Sequence, residues 1–270
     1  MRAAVLGRPI AHSLSPLLHR AAYAALGLTD WTYDALDVGA EELPELIAGL
    51  GPEWRGFSVT MPCKQAAVEV ADVVEPLPRM LGAANTLVRI DGGWRAENTD
   101  VVGIGMALQV AEVESVPRAA ILGAGGTAAA AAVALASLGA EHIEIVVREP
   151  ARAAGLVGLL DRLGVATTVS DFGGSTVDAP LVVSTVPVAG QPAAAGLPWR
   201  AEHTVLDVLY DPWPTPLAAA WVARSAPVVD GLDLLVHQGV LQVLLMTAVD
   251  ADPAGLVPVL RAAGERALRA

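Results

Sequence analysis

Lys64 closes the run Gly56-Phe57-Ser58-Val59-Thr60-Met61-Pro62-Cys63-Lys64. Of the 17 basic side chains, every one except Lys64 is an arginine. Arginine keeps its proton near neutral pH, whereas lysine can be tuned to release one. A solitary lysine in an arginine background is therefore a candidate acid–base group. On composition alone, a surface lysine left by chance competes evenly with that reading. The β-forming residues predict a strand over 57–60, which Pro62 interrupts because it cannot donate to a sheet ladder. An apolar helical pattern begins at Gln65. Lys64 then lies at a strand-to-helix corner, where side chains point into clefts.

A second candidate is Gly123-x-Gly125-x-x-Ala128, which follows an apolar run and opens an Ala-rich one. Glycines in a strand–turn–helix let the backbone turn tightly and approach a pyrophosphate. The helix N-terminus then offers free N–H groups and partial positive charge to the phosphates. A purely structural glycine turn is the competing reading. Some 20 residues on, an NAD site usually carries an acidic side chain for the ribose 2′-OH. The segment there reads Val147-Arg148-Glu149-Pro150-Ala151-Arg152. Arg148 and Arg152 can reach a 2′-phosphate, which favours NADP over NAD. Glu149 opposes this, since a carboxylate would repel the phosphate or offer an NAD-type contact. The bland reading of both arginines is a solvated helix start.

Other reactive residue types give weaker signals. Cys63 is the sole cysteine. No disulfide framework or thiolate metal cluster can form within one chain, and no histidine nearby in sequence would activate it as a nucleophile. His12, His19, His142, His203 and His237 show no metal-ligand spacing, so no metal is expected. The net charge of −12 argues against nucleic acid or an anionic membrane surface as partner. It leaves room for a small anionic substrate, which local Arg, Lys and hydroxyl groups would decide. Residues 119–140 carry no charge and are long enough to span a bilayer. Their Ala/Gly content fits a soluble strand–turn–helix better. No N-terminal signal is visible, and a reducing cytoplasm is expected.

The chain is 270 residues long and 54% hydrophobic, enough for two cores. Strands are predicted at Arg2–Gly7, Trp31–Val38 and Phe57–Thr60, with helices from Pro16, over Glu41–Leu50 and after Lys64. That alternation predicts a largely parallel α/β sheet. Ser15 reads as a helix N-cap with Pro16 at N1, leaving Ser13 free to face a ligand. Ala84–Ile90 and Trp94–Glu97 flank Asp91-Gly92-Gly93, a hairpin signal. A connecting helix follows over Val101–Val113. A second alternating unit then runs through strands at Ala119–Leu122, Ile143–Val147, Leu181–Ser184, Thr204–Leu209 and Val228–Val229. Two helices, about Leu232–Ala248 and Pro253–Arg269, finish the chain.

Several ordered motifs together are specific. They are Pro9-Ile10-Ala11-His12-Ser13-Leu14-Ser15-Pro16, Val59-Thr60-Met61-Pro62-x-Lys64, Ala84-Asn85-Thr86-Leu87 and Asn98-Thr99-Asp100. The Gly123–Thr127 turn follows, then Asp207-x-x-Tyr210, Thr215-Pro216-Leu217, and Asp230-Gly231-Leu232 through Gln238. Over essentially its whole length the chain resembles the shikimate dehydrogenase family. The resemblance implies an N-terminal α/β substrate domain (1–103 plus 235–270) with a mostly parallel sheet. It also implies a Rossmann-type NADP-binding domain (104–234) and C-terminal helices packing back on the first domain. The implied activity is NADPH-dependent reduction of 3-dehydroshikimate to shikimate, by a monomer or homodimer with no nucleic-acid or membrane partner. Lys64 and Asp100 would be the catalytic pair. Ser13, Ser15 and Tyr210 would hold the substrate carboxylate; Thr60, Asn85, Asp100 and Gln238 would read ring hydroxyls. Gly123, Ala124, Gly125, Gly126 and Thr127 would cradle the pyrophosphate, with Val208 and Gly231 beside the nicotinamide.

The chain departs from the family pattern at Ser58, where many relatives carry Asn, and at Val101, where Gly is common. Val147 and Glu149 stand in place of the usual Asn and Thr. A quinate or amino-substituted-shikimate dehydrogenase is a close alternative. A catalytically idle sensor of NADP(H) or shikimate is another, which the complete Lys64–Asp100 pair disfavours.

Overall fold

Among the described residues, alternating apolar strands and helices build two sheets of six strands each. The computed structural model describes residues 1–173, 177–199 and 204–269. His203 lies outside the described residues. The chain divides into two compact units, Met1–Thr99 with Leu235–Ala270, and Asp100–Leu234.

In the first unit the elements run β1 (Arg2–Gly7), α1 (Ser15–Ala25), β2 (Thr32–Asp37), α2 (Leu43–Ala48) and β3 (Trp54–Val59). They continue with α3 (Ala66–Val70), β4 (Val73–Val74), α4 (Pro76–Leu81), β5 (Thr86–Ile90) and β6 (Gly93–Glu97). The sheet order is β2-β1-β3-β5-β6-β4. β1 pairs in parallel with β2 and β3, and β4 with β6; β5 runs antiparallel to both β3 and β6. The antiparallel turn is the expected hairpin, with Gly92 at φ +86°. Leu6, Leu43, Trp54, Phe57, Leu87 and Trp94 fill the core on one face.

The second unit contains α5 (Asp100–Val110), β7 (Arg118–Leu122), α6 (Gly126–Ser137), β8 (His142–Val147), α7 (Ala154–Arg162) and β9 (Ala166–Asp171). β10 (Leu181–Ser184), α8 (Gln191–Ala195), β11 (Thr204–Asp207), α9 (Pro216–Val222) and β12 (Val228–Val229) follow. All pairings are parallel in the order β12-β11-β10-β7-β8-β9, the doubly wound dinucleotide-binding order. β7 and β10 are almost wholly buried, as strands covered on both faces must be. β4, α4, β9 and α8 have no counterpart in the sequence reading. β9 shows why: most of its residues are exposed, so it lacks an apolar signature and is held as an edge by its ladder to β8.

The last two helices are α10 (Gly231–Thr247) and α11 (Pro253–Leu268). Asp252 caps α11 by accepting from Ala254 N–H at 3.0 Å. Leu256 and Leu260 are buried on its inner face. α11 packs on α1, so the C-terminal helices do fold back on the first unit. No helix among the described residues is long and apolar enough to cross a membrane.

Candidate active site

In the first unit, β1 and β3 run side by side and their C-terminal ends release the two candidate loops together. Thr60 N–H donates to Leu6 O at 2.9 Å, and Arg8 N–H to Met61 O at 3.0 Å. Ligands in open α/β sheets bind at such carboxyl ends. The loop after β1 carries Ser13 and Ser15. Here the structure corrects the capping assignment. Ser15 is the first residue of α1, Leu14 occupies the cap position with helical φ and ψ, and no side chain caps the helix. The cause is local. Ser15 N–H donates to Ser13 Oγ (3.3 Å), and Ser13 N–H to Ile10 O (3.0 Å). The chain is thus already winding before Ser15. Ser13, not Ser15, supplies the turn-forming hydroxyl, and the Ser15 hydroxyl makes no hydrogen bond among the described residues.

One turn on, His19 Nδ1–H donates to Ser15 O (2.9 Å), and the ring stacks on Tyr33 at 3.9 Å. Burial pushes the His19 pKa down to about 4, so the imidazole is neutral near pH 7.

The corner after β3 is as expected, except that α3 starts at Ala66 and is only five residues long. Cys63 is fully buried with its Sγ on Val38 O at 3.2 Å. Burial, and after it Glu41, push the thiol pKa up, which disfavours a thiolate. The next side chain, Lys64, is half-buried. Its carbonyl accepts from Ala84 N–H (2.8 Å), which seats Lys64 beside the Ala84-Asn85 segment.

Asn85 is buried at 2% exposure. Its Oδ1 accepts from Thr99 N–H (2.8 Å) and from the Thr86 hydroxyl (2.8 Å). Its Nδ2 donates to Thr99 Oγ1 (2.9 Å) and to Gln238 Oε1 (3.2 Å). Gln238, on α10, donates through Nε2 to Leu235 O (2.9 Å). Thus Lys64, Asn85 and Gln238 are gathered around one sheet end, and Thr60 lies half-buried at the end of β3. Behind them lies a polar layer absent from the sequence reading: Gln242, Thr86, Ser58 and Tyr33, all buried. The available signal was Gln242 itself, a carboxamide inside the apolar run Val240-Leu241-Gln242-Val243-Leu244, one turn after Gln238.

In the second unit, Asp100 is the first residue of α5 and only 6% exposed. α5 packs against α6. The glycine turn lies between β7 and α6, with β7 beside β10 where the strand order reverses, the switch point where such sheets bind ligands. Gly123 has φ +104°, and a Cβ there would run into the Thr185 hydroxyl. Thr185 Oγ1–H is itself tied to Leu122 O at 2.8 Å. Only glycine therefore allows the turn this close approach. Ala124, Gly126 and Thr127 are half-buried and Gly125 exposed, at the mouth of α6.

Arg148 and Arg152 are exposed beyond β8. Neither pairs with Glu149 among the described residues. Val208 N–H donates to Ser184 O (3.0 Å), and Gly231 N–H to Leu209 O (3.3 Å). A Cβ on Gly231 would collide with the carbonyls of Val208 and Leu209. The segment leading to Tyr210 is anchored by Asp207, a fully buried carboxylate. It accepts from Thr215 Oγ1–H (2.6 Å), Gln191 Nε2 (3.2 Å) and Leu209 N–H (3.3 Å). Burial pushes the Asp207 pKa up, and these donors oppose the rise. Among the described residues no cluster of His, Cys, Asp and Glu could hold a metal ion.

The model of the shikimate dehydrogenase substrate binding domain matches residues 5–87. The NADP(+) shikimate dehydrogenase of Moorella thermoacetica is 38% identical, with 96% of this chain and 92% of the relative aligned. This chain belongs to the shikimate dehydrogenase family. Among solved shikimate dehydrogenases, the Mycobacterium tuberculosis crystal structure superposes with TM-score 0.86 at 46% identity, covering 97% of this chain and 99% of that one. The Thermus thermophilus shikimate dehydrogenase, crystallised in complex with NADP(H) and shikimate, superposes with TM-score 0.82 at 33% identity, covering 97% and 99%. Likeness to shikimate dehydrogenases therefore extends through both units.

Proposed function

We propose that this member of the family catalyses the reversible, NADPH-dependent reduction of 3-dehydroshikimate to shikimate, within aromatic amino-acid and chorismate biosynthesis in the cytoplasm. The observation that carries this reading is the cluster of Asn85, Thr99 and Gln238 beside Lys64. It is a set of short, directed polar groups at one sheet end. A polyhydroxylated ring acid needs such groups, because each hydroxyl wants its own donor or acceptor.

The residues present fit a nicotinamide dinucleotide. Gly123 clears room for a close approach, α6 offers its N-terminal N–H groups, and Arg148 and Arg152 stand ready for a 2′-phosphate. When bound, NADPH supplies hydride to the substrate ketone. Lys64 donates a hydrogen bond and then a proton to the ketone oxygen as negative charge develops there. Asp100 orients the Lys64 ammonium and binds the neighbouring hydroxyl. Ser13, Ser15 and Tyr210 take the carboxylate; Thr60, Asn85 and Gln238 take the ring hydroxyls. The Ser15 hydroxyl, without an internal partner among the described residues, supports this assignment.

The test is nicotinamide oxidation followed spectrophotometrically with 3-dehydroshikimate, and the reverse reaction with shikimate or quinate. Turnover with NADPH exceeding that with NADH is expected, as is faster oxidation of shikimate than of quinate. Absence of turnover would leave a binding protein, and a preference for quinate would reassign the substrate.

A further inference from the structure

The polar layer behind Asn85 has one direction, and chemistry fixes it. Two backbone groups act as reference points: Asn85 O can only accept, and Thr99 N–H can only donate. The end of Gln242 lying 2.9 Å from Asn85 O is therefore its amide nitrogen. Its Oε1 then faces Ser58 Oγ at 2.6 Å, so Ser58 must donate. With its hydrogen committed, Ser58 accepts from the Tyr33 phenol at 2.5 Å. The second hydrogen of Gln242 Nε2 goes to Thr86 Oγ1 (2.9 Å). Thr86 is thereby set to donate to Asn85 Oδ1 at 2.8 Å. Thr99 N–H, also at 2.8 Å, independently requires that atom to be oxygen. Every link points the same way, from Tyr33 through Ser58, Gln242 and Thr86 to Asn85.

The consequence falls on Asn85. Both lone pairs of its Oδ1 are occupied, so it can meet a ligand only through Nδ2. The Nδ2 contact to Gln238 Oε1, at 3.2 Å, is longer than that to Thr99 Oγ1 and is the one that a ligand oxygen could replace. Tyr33, Ser58, Gln242 and Thr86 are all buried, none more than 4% exposed. Water cannot stand in for a missing link there, and an unpartnered member carries its full desolvation cost.

We infer that Tyr33, Ser58 and Gln242 are positioning residues that lock the Asn85 carboxamide with its nitrogen toward Gln238, making Asn85 an obligate donor to a ring hydroxyl of the substrate. The inference rests on the function proposed above. Gln242 touches neither substrate nor cofactor; it acts through Asn85.

A double-mutant cycle on the full chain tests it, using Gln242→Leu, Asn85→Ala and the pair. Gln242→Leu raises the KM for shikimate about tenfold, with a smaller fall in kcat and an unchanged KM for NADP. In the Asn85→Ala background the same change adds nothing, because there is no carboxamide left to orient. Multiplicative effects of the two substitutions would overturn the inference, since a merely structural role would act in both backgrounds. Ser58→Ala is the milder second variant and shows the same non-additivity at a smaller fold-change. If the wild-type protein does not oxidise shikimate, it is the function that fails. The positioning role is then read by NMR from exchange of the Asn85 carboxamide hydrogens. Faster exchange in Ser58→Ala and Gln242→Leu supports it, and exchange identical to wild type overturns it.

Discussion

Asn85 Nδ2 donates to Gln238 Oε1 over 3.2 Å, although 153 positions separate the two residues in the chain. The first unit's polar cluster is therefore complete only once α10, the helix before the last, has docked on the sheet. Gln238→Ala is expected to raise the KM for shikimate about tenfold, the scale of one lost hydrogen bond to a buried group. The KM for NADPH should stay constant; a change in that constant instead would assign Gln238 to the cofactor.

Lys64→Ala is expected to lower kcat by about 10²–10⁴, the range of a lost general acid, and to change KM little. The lost interaction strengthens as charge develops on the ketone oxygen. Lys64→Arg should fail to restore the rate, because a guanidinium does not release its proton near neutral pH. Steady-state kinetics in both directions decide the matter, and a pure KM effect would make Lys64 a binding residue.

Arg148→Ala combined with Arg152→Ala is expected to weaken NADPH by about 10- to 100-fold, as loss of charge-assisted hydrogen bonds does. NADH should be nearly unaffected. Equal loss for both cofactors would mean that the arginines do not contact the 2′-phosphate.

Gly231→Ala places a methyl against the carbonyls of Val208 and Leu209. Neither is the end of a flexible side chain, so backbone must move. A loss of about 1–3 kcal/mol in denaturant unfolding is expected. Unchanged stability would show that this turn yields freely.

His19 makes stability depend on pH with a defined sign. Its folded pKa, lowered to about 4 from the ordinary 6.5, lies below its unfolded value. The unfolded chain thus binds more protons between those values. The His19 contribution is full above pH 6.5 and declines as pH falls toward 4. From pH 7 to 5 it amounts to about 2 kcal/mol. His19→Phe, which keeps a ring against Tyr33, should remove that part of the acid dependence in unfolding titrations. An unaltered slope would mean that His19 protonates freely in the fold.

The parts of this molecule written in short stretches of sequence were legible there. The Gly123 turn requires φ +104° and a near approach to Thr185, and its glycine pattern announced it. The hairpin at Gly92 and the almost wholly buried β7 and β10 were equally local. Capping was harder to read, because the turn before α1 leaves Leu14 at the cap position and no side chain caps the helix. Ser13 accepts the Ser15 N–H, and composition alone does not distinguish two hydroxyls two residues apart. β9 escaped notice because an exposed edge strand is defined by its neighbour's ladder, not by its own apolar residues.

By itself the sequence determined the alternation that makes two α/β units, the glycine turn at Gly123 with Arg148 and Arg152 after the next strand, and Lys64 as the single lysine. These depend on backbone preferences and residue types within a few positions of one another. Only the tertiary structure decided which way the buried amides face, because Ser58 meets Gln242 across 184 positions. A hydrogen bond's direction is set by the whole chain of partners around it, and no local pattern records that.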